Sequence, residues 1–262
     1  MNLDLKKTLD EIGINAVKAS KILNTATTSQ KNRFFDIAIQ EIKNNEQIIL
    51  AANIKDVETA KENGKDASFI DRLMLSSERI KGICKTLEDI RDFDDPVGKT
   101  LACWDRPNGL KISRVATPLG VIGLIFESRP NVAADAGGLC LKSGNAVILR
   151  SGKDGLRSAQ SIVSAMQTAL VKSKLPEHSI QIVPSEDRSA ATFMLEGING
   201  SIDVIVPRGG KSLVAEVERS AKVPVFGHLE GICHIYVDNM ADIPKALSVC
   251  VNAKMRRTGI CG

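Results

Sequence analysis

Between Thr117 and Gly155 the chain reads TPLGVIGLIFESRPNVAADAGGLCLKSGNAVILRSGKDG, alternating apolar runs of strand length with polar breaks. Val121 to Phe126 and Ala146 to Arg150 have the composition of buried strands. Pro130-Asn131 between them opens a helix over about Val132 to Lys142. Two strands joined by a helix pair in parallel with a right-handed crossover, which brings the loops after both strands to one edge of a sheet. Ligands of open α/β sheets bind at that edge. The polar residues just beyond the strands, Glu127, Ser128, Arg129, Asn131, Arg150 and Lys153, are therefore the first site candidates.

The rest of the chain extends the same arrangement. On the amino-terminal side, Leu5, Leu9, Ile12 and Ala16 share one helical face, as do Phe35, Ile39 and Ile42. Two more helices are expected, from about Glu46 to Glu62 and from about Ser77 to Ile90. From Asp94 to Pro118 the pattern changes to turn residues and short alternation, which predicts a hairpin. A two-stranded hairpin is marginal alone, so it is expected to pack on something, another subunit being one option. After Gly155 the expected order is helix (about Leu156 to Lys172), strand (Ile180 to Val183), short helix (about Arg188 to Glu196) and strand (Asp203 to Val206). Then come a helix (Ser212 to Ala221), strands at Val223 to Phe226 and Ile232 to Val237, and a helix at Ile243 to Lys254. Strands alternating with helices predict an α/β fold with a doubly wound parallel sheet.

With 43% hydrophobic residues, the 262-residue chain has ample material for a core. The net charge of +4 is spread over mixed signs without a basic, aromatic-interleaved stripe, which argues against nucleic-acid binding. No apolar run reaches the roughly 18 residues that cross a bilayer, and MNLDLKKTLDEIG lacks a signal-peptide core, so a cytoplasmic protein is expected. The six cysteines form no CxxC pair and only three histidines accompany them, so no metal site is expected. Most of the cysteines read as reduced, buried apolar residues. Cys261 follows Arg256, Arg257, Thr258 and Gly259, where positive charge favours a thiolate; a purely structural cysteine is the other reading.

Two phosphate-binding signatures are absent. There is no GxGxxG, and Gly209-Gly210-Lys211-Ser212 has Ile205 where a P-loop needs its earlier glycine. What remains is Pro207-Arg208-Gly209-Gly210, between a strand and a helix. Glycines allow close backbone approach and a helix start attracts anions, which suits a dinucleotide pyrophosphate; an ordinary turn is the alternative. Arg150 and Lys153 suit a phosphate or ribose, or are plain surface charges.

Four motifs, PLGVIGLIFESRPNVAADAGGLCLKSGNAVILRSGKD, IVPRGGKSL, GHLEGICHIYVD and NAKMRRTGIC, resemble those of the gamma-glutamyl phosphate reductases, a family within the aldehyde dehydrogenase superfamily, and the resemblance covers essentially the whole chain. It implies an aldehyde-dehydrogenase-like fold and NADPH-dependent reduction of L-glutamate 5-phosphate to L-glutamate 5-semialdehyde, as in proline biosynthesis. It also implies a functional link to glutamate 5-kinase and a homo-oligomer. Cys261 falls on the family's nucleophile, whose thiolate would expel phosphate and leave a thioester. Asn131 matches the asparagine that stabilises the oxyanion, a role that a helix N-cap position does not exclude. Arg150 and Lys153 fall where the superfamily meets the adenosine ribose and its phosphate. Pro207, Arg208, Gly209 and Gly210 fall at the pyrophosphate loop. Arg129 suits a substrate carboxylate or phosphate by its bidentate chemistry.

His228 stands where hydrolytic relatives carry a glutamate base, with Glu230 two residues on. Both His228 and His234 read more readily as packed or hydrogen-bonded residues than as catalysts. Residues 1–98 and 118–250 are expected to form the cofactor domain, 99–117 the oligomerisation hairpin and 251–262 the start of a catalytic domain. The family continues well past the nucleophile, so the chain is expected to be a fragment that is inactive alone. An oxidising or CoA-acylating aldehyde dehydrogenase and a non-catalytic nucleotide-binding or dimerisation module are the competing readings.

Overall fold

The computed structural model describes residues 3–227 and 231–256. It divides into two compact units, residues 1–227 and 228–262. In the larger unit the first helices are α1 (Leu3–Leu23), α2 (Thr28–Asn44), α3 (Glu46–Glu62), α4 (Ala67–Leu73) and α5 (Ser77–Asp92). The expected apolar stripes are the buried ones: Leu9 and Ala16 on α1, and Phe35, Ile39 and Ile42 on α2, are all buried. Helix α4 was not expected. It has only seven residues and one fully buried side chain, Leu73, and starts where the Asp66 carboxylate accepts the Phe69 N–H at 2.7 Å.

The hairpin forms from β1 (Thr100–Asp105) and β2 (Lys111–Val115), antiparallel from Thr100 opposite Val115 to Asp105 opposite Lys111. Leu101, Trp104, Leu110 and Val115 on it are exposed.

The chain then enters a four-stranded parallel sheet: β3 (Val121–Phe126), α6 (Asn131–Lys142), β4 (Ala146–Ser151), α7 (Leu156–Lys172), β5 (Ile180–Ile182), α8 (Arg188–Leu195), β6 (Val204–Arg208) and α9 (Lys211–Ser220). The strand order is β5-β4-β3-β6. The chain winds outward from β3 through β4 to β5, then returns to the other side of β3. The reversal lies between β3 and β6, and the carboxyl ends of those strands flank the crevice where such sheets bind ligands.

Every residue of β3 is buried, as a strand covered on both faces requires. The two faces are told apart on β5, where successive side chains point opposite ways. Ile180 packs toward Gly137 of α6, whereas the Gln181 amide donates to the Ile12 carbonyl of α1 at 2.9 Å. Helix α6 is pressed from both sides. A methyl group on Gly137 would stand 3.1 Å from Met166 and 3.3 Å from Ile180, and one on Gly138 would stand 3.0 Å from Leu87 and 3.2 Å from Phe35.

A buried polar knot anchors α4. Asn53 of α3 donates to the Leu73 carbonyl at 2.9 Å and to Ser158 Oγ at 3.0 Å, and its Oδ1 accepts the Leu75 N–H at 2.7 Å. Asp56, one helical turn on, accepts both the N–H and the hydroxyl of Ser158. A second knot joins α2 to the segment after α5: the buried Lys31 ammonium bonds both oxygens of Asp95, at 3.0 and 2.9 Å, and the Lys142 carbonyl at 3.2 Å.

Beyond α9 the reading needs correction. Val223 to Phe226 contributes one bridge, Val225 to Ile205, rather than a strand. In the smaller unit, Ile232 to Val237 forms no strand: no described strand lies alongside to take its backbone bonds, and Ile232 and Tyr236 are exposed. Helix α10 (Ile243–Met255) follows as expected. Among the described cysteines only Cys84 and Cys140 are buried; Cys103 and Cys233 are exposed and Cys250 is half-buried, so burial is the minority state. No described helix is long and apolar enough to cross a membrane.

Candidate active site

At the carboxyl edge, the end of β3 is tied to both neighbours. The Phe126 carbonyl accepts the Gly152 N–H at 2.8 Å on the β4 side, and the Glu127 N–H donates to the Arg208 carbonyl at 3.2 Å on the β6 side. These bonds hold three loops around a cleft of about 450 Å³ lined by Lys65, Phe69, Arg72, Glu127, Ser128, Arg129, Gly152, Asp154, Arg208, Gly209 and Gly210. That volume lies within the ordinary range of small-molecule sites, roughly 300–1,000 Å³.

Six of the residues expected from sequence thus meet in one place: Glu127, Ser128, Arg129, Arg208, Gly209 and Gly210. The cleft's central contact is between the Glu127 carboxylate and the glycine loop. Glu127 Oε2 accepts the Gly210 N–H at 3.0 Å. A methyl group on Gly209 would stand only 2.7 Å from the Glu127 carboxyl carbon, so glycine is what lets an anionic group lie against the start of α9.

The opposite wall is one that sequence reasoning missed. Lys65, Phe69 and Arg72 come from the loop after α3 and from α4, far from the central motif in sequence. The Lys65 ammonium lies 4.7 Å from the centre of the Phe69 ring, a cation–π contact, and 3.7 Å from Asp154 Oδ2. Arg72 donates to Ser68 Oγ at 2.7 Å. The only local signal was the Asp66 cap, which marks a helix but not its position across the sheet edge.

Other expected residues lie outside the cleft lining. Pro207 is buried within β6, opposite Ile125, so its place is in the ladder of an edge strand, which tolerates a residue without an N–H. Lys153 is exposed at the start of a short 3-10 turn, Lys153–Gly155. Arg150, on β4 opposite Ile125, has a buried Nε with no hydrogen bond among the described residues. Burial, and then the charge of Arg188, pull its guanidinium below the ordinary range, with Asp187 opposing them.

Asn131 is half-buried, and its expected N-cap role is not the one it plays. Pro130 occupies the cap position in helical conformation and Asn131 is the first helical residue. Its amide instead donates to Asp135 Oδ2 at 2.8 Å, one turn along the helix. Burial raises the Asp135 carboxyl above its usual range, and the Asn131 bond partly offsets this. His234, expected to be packed or hydrogen-bonded, is exposed. Cys261, His228 and Glu230 lie outside the described residues.

The aldehyde dehydrogenase family model matches residues 5–261. Curated relatives named gamma-glutamyl phosphate reductase include one from Rhizobium etli, 57% identical over 99% of this chain and 61% of its own length. Another, from Parvibaculum lavamentivorans, is 54% identical over the same shares. A solved gamma-glutamyl phosphate reductase from Thermotoga maritima superposes with a TM-score of 0.90 at 40% identity, covering 97% of this chain and 61% of that one. The Saccharomyces cerevisiae enzyme of that name gives 0.77 at 33% identity, covering 95% and 63%. The chain therefore spans about 61% of the length of the curated relatives it matches. Its parallel sheet, its crevice at the strand-order reversal and these likenesses agree that the chain belongs to the aldehyde dehydrogenase family.

Proposed function

We propose that the chain carries the cofactor-binding part of an enzyme that reduces L-glutamate 5-phosphate to L-glutamate 5-semialdehyde with NADPH, in the cytoplasm and within proline biosynthesis. The observation that carries this reading is the identity of 54–57%, along almost the whole chain, to proteins named gamma-glutamyl phosphate reductase. The cleft is chemically suited to it. Gly209 leaves room for an anion at the start of α9, where the Gly210 N–H is a donor.

In this reading the dinucleotide supplies hydride, and the chain's own residues hold and activate the substrate. The Cys261 thiolate attacks the acyl carbon, the bond to phosphate breaks, and phosphate leaves from a cysteine thioester. Asn131 stabilises the oxyanion through an amide hydrogen beyond the one given to Asp135. Arg129 holds the carboxylate or phosphate of the substrate. Arg150 and Lys153 meet the adenosine ribose and its phosphate, and residues 207–210 the pyrophosphate. The exposed apolar side chains of the β1–β2 hairpin suit a homo-oligomer contact. Glutamate 5-kinase would supply the acyl phosphate.

The test is reduction of NADP by glutamate 5-semialdehyde, run with this chain and with the longest polypeptide its gene encodes. Turnover that requires inorganic phosphate is the expected result for the longer polypeptide. Turnover that requires coenzyme A, or that proceeds with water alone, overturns the assignment in favour of another aldehyde dehydrogenase. The 61% coverage of the relatives favours a second reading for the chain by itself, a nucleotide-binding module without turnover. Retained NADPH binding with no reduction by this chain supports that reading.

A further inference from the structure

Along helix α6 the buried positions around Asp135 hold small residues, Ala133, Ala134, Ala136, Gly137 and Gly138. Aspartate has a poor propensity for a helix interior, because its side chain competes with the backbone for hydrogen bonds. This one is also half-buried, and burial raises its carboxyl, with no cation among the described residues to lower it again. The placement works against the helix, and a local rule broken in this way is expected where function requires it. What the carboxyl does have is Asn131: the amide nitrogen donates to Asp135 Oδ2 at 2.8 Å, from four residues back on the same helix face. The turn that carries Asn131 is tied to the cleft, since the Val132 N–H donates at 3.0 Å to the carbonyl of Arg129, which lines it.

We infer that Asp135 is a positioning residue, one that fixes which end of the Asn131 amide is offered to the reacting acyl group. An amide carries an acceptor oxygen and a donor NH2 of similar size, and half a turn about its last torsion exchanges them. An ionised carboxylate only accepts, so it holds the nitrogen and repels the oxygen. One amide hydrogen goes to Asp135, and the other stays available for an oxyanion. Unheld, the amide would present its oxygen part of the time, a dipole of the wrong sign for the charge that develops. A donor held in place before the reaction needs no reorganisation during it, which is what makes such a group effective. The inference rests on the proposed role of Asn131 and adds the group that orients it.

The experiment is a double-mutant cycle in the longest polypeptide the gene encodes, read by phosphate-dependent reduction of NADP by glutamate 5-semialdehyde. Asp135→Ala should lower kcat on the order of tenfold with KM unchanged for both substrates, the pattern of an interaction made in the transition state. In an Asn131→Ala background the same substitution should change kcat by less than about twofold, because the group it positions is gone. Asp135→Asn keeps the size and an acceptor oxygen but also admits the reversed amide pair, so its kcat should fall between those of Asp135→Ala and the parent. The cycle is closed with Asp135→Asn if the alanine variant does not fold. An equal factor in both backgrounds means that Asp135 acts on the fold, and overturns the inference. So does an effect confined to KM, or an Asn131→Ala enzyme as fast as the parent. No turnover by the unaltered polypeptide counts against the proposed function and removes the inference with it, whereas phosphate-dependent turnover with an additive cycle removes the inference alone.

Discussion

Glu127 and Gly210 are joined across the strand-order reversal, the carboxylate of one accepting the backbone N–H of the other at 3.0 Å. The chain's own anion therefore lies where a dinucleotide phosphate would claim the same donor. Glu127→Gln keeps an oxygen acceptor but removes the charge that repels phosphate. It should tighten NADPH binding severalfold, read by quenching or transfer of dinucleotide fluorescence. Unchanged or weaker binding would mean that Glu127 does not compete for the loop.

Arg150 offers a sharper test of cofactor choice, because the resemblance sets it at the ribose phosphate while its buried Nε has no acceptor among the described residues. Arg150→Met keeps the length of the stem and removes the donors. NADPH affinity should fall on the order of tenfold and NADH affinity by less than about twofold, if the guanidinium meets the ribose phosphate. Equal losses for the two dinucleotides would detach Arg150 from that phosphate.

Asn53, 2% exposed, serves three partners on α4, α7 and the segment after α4. Asn53→Ala leaves those groups buried and unmatched, and should destabilise the chain by about 2–3 kcal/mol in urea unfolding. A change below about 0.5 kcal/mol would show that water replaces the amide at no cost.

The Lys31–Asp95 pair sets a pH dependence. Burial raises the Asp95 carboxyl, but the Lys31 ammonium, the Val97 N–H and the Thr28 hydroxyl together outweigh it, and the group ends below its ordinary value. With the folded value lowered, the stabilisation is present above the unfolded pKa of about 4 and is lost as pH falls through the folded value. Asp95→Asn also strands the buried Lys31 charge, at a cost on the order of 3 kcal/mol near neutrality. The gap in urea midpoint between the two proteins should be widest at pH 7 and close as the acid side is approached. A gap independent of pH would remove Asp95 as the titrating group.

What the sequence made legible follows from where each element gets its stability. Strands β3 and β4 are covered on both faces, so burial writes itself into unbroken apolar runs, and the intervening helix carries its own start signal. Helix α4 is short, with a single fully buried residue, and is held by Asn53 from another helix; a local pattern could not announce it. The same long-range placement hid Lys65, Phe69 and Arg72. Ile232 to Val237 has strand composition, yet a strand needs a neighbour, and none is described beside it. Pro130-Asn131 was readable as a helix start, but which of the two took the cap depended on the Asn131 side chain turning inward to Asp135. Pro207 belongs to the sheet ladder, while the glycines after it reach the cleft.

The paired glycines of α6 act as a spacer of fixed thickness. With no methyl on either side, the helix sets how far the sheet stands from the outer helices, and its first residue is Asn131. Any residue larger than glycine there would act as a shim, lifting one layer from the other and rocking the head of the helix. The aim of the Asn131 amide is thus calibrated about two turns away, by atoms that the chain leaves out.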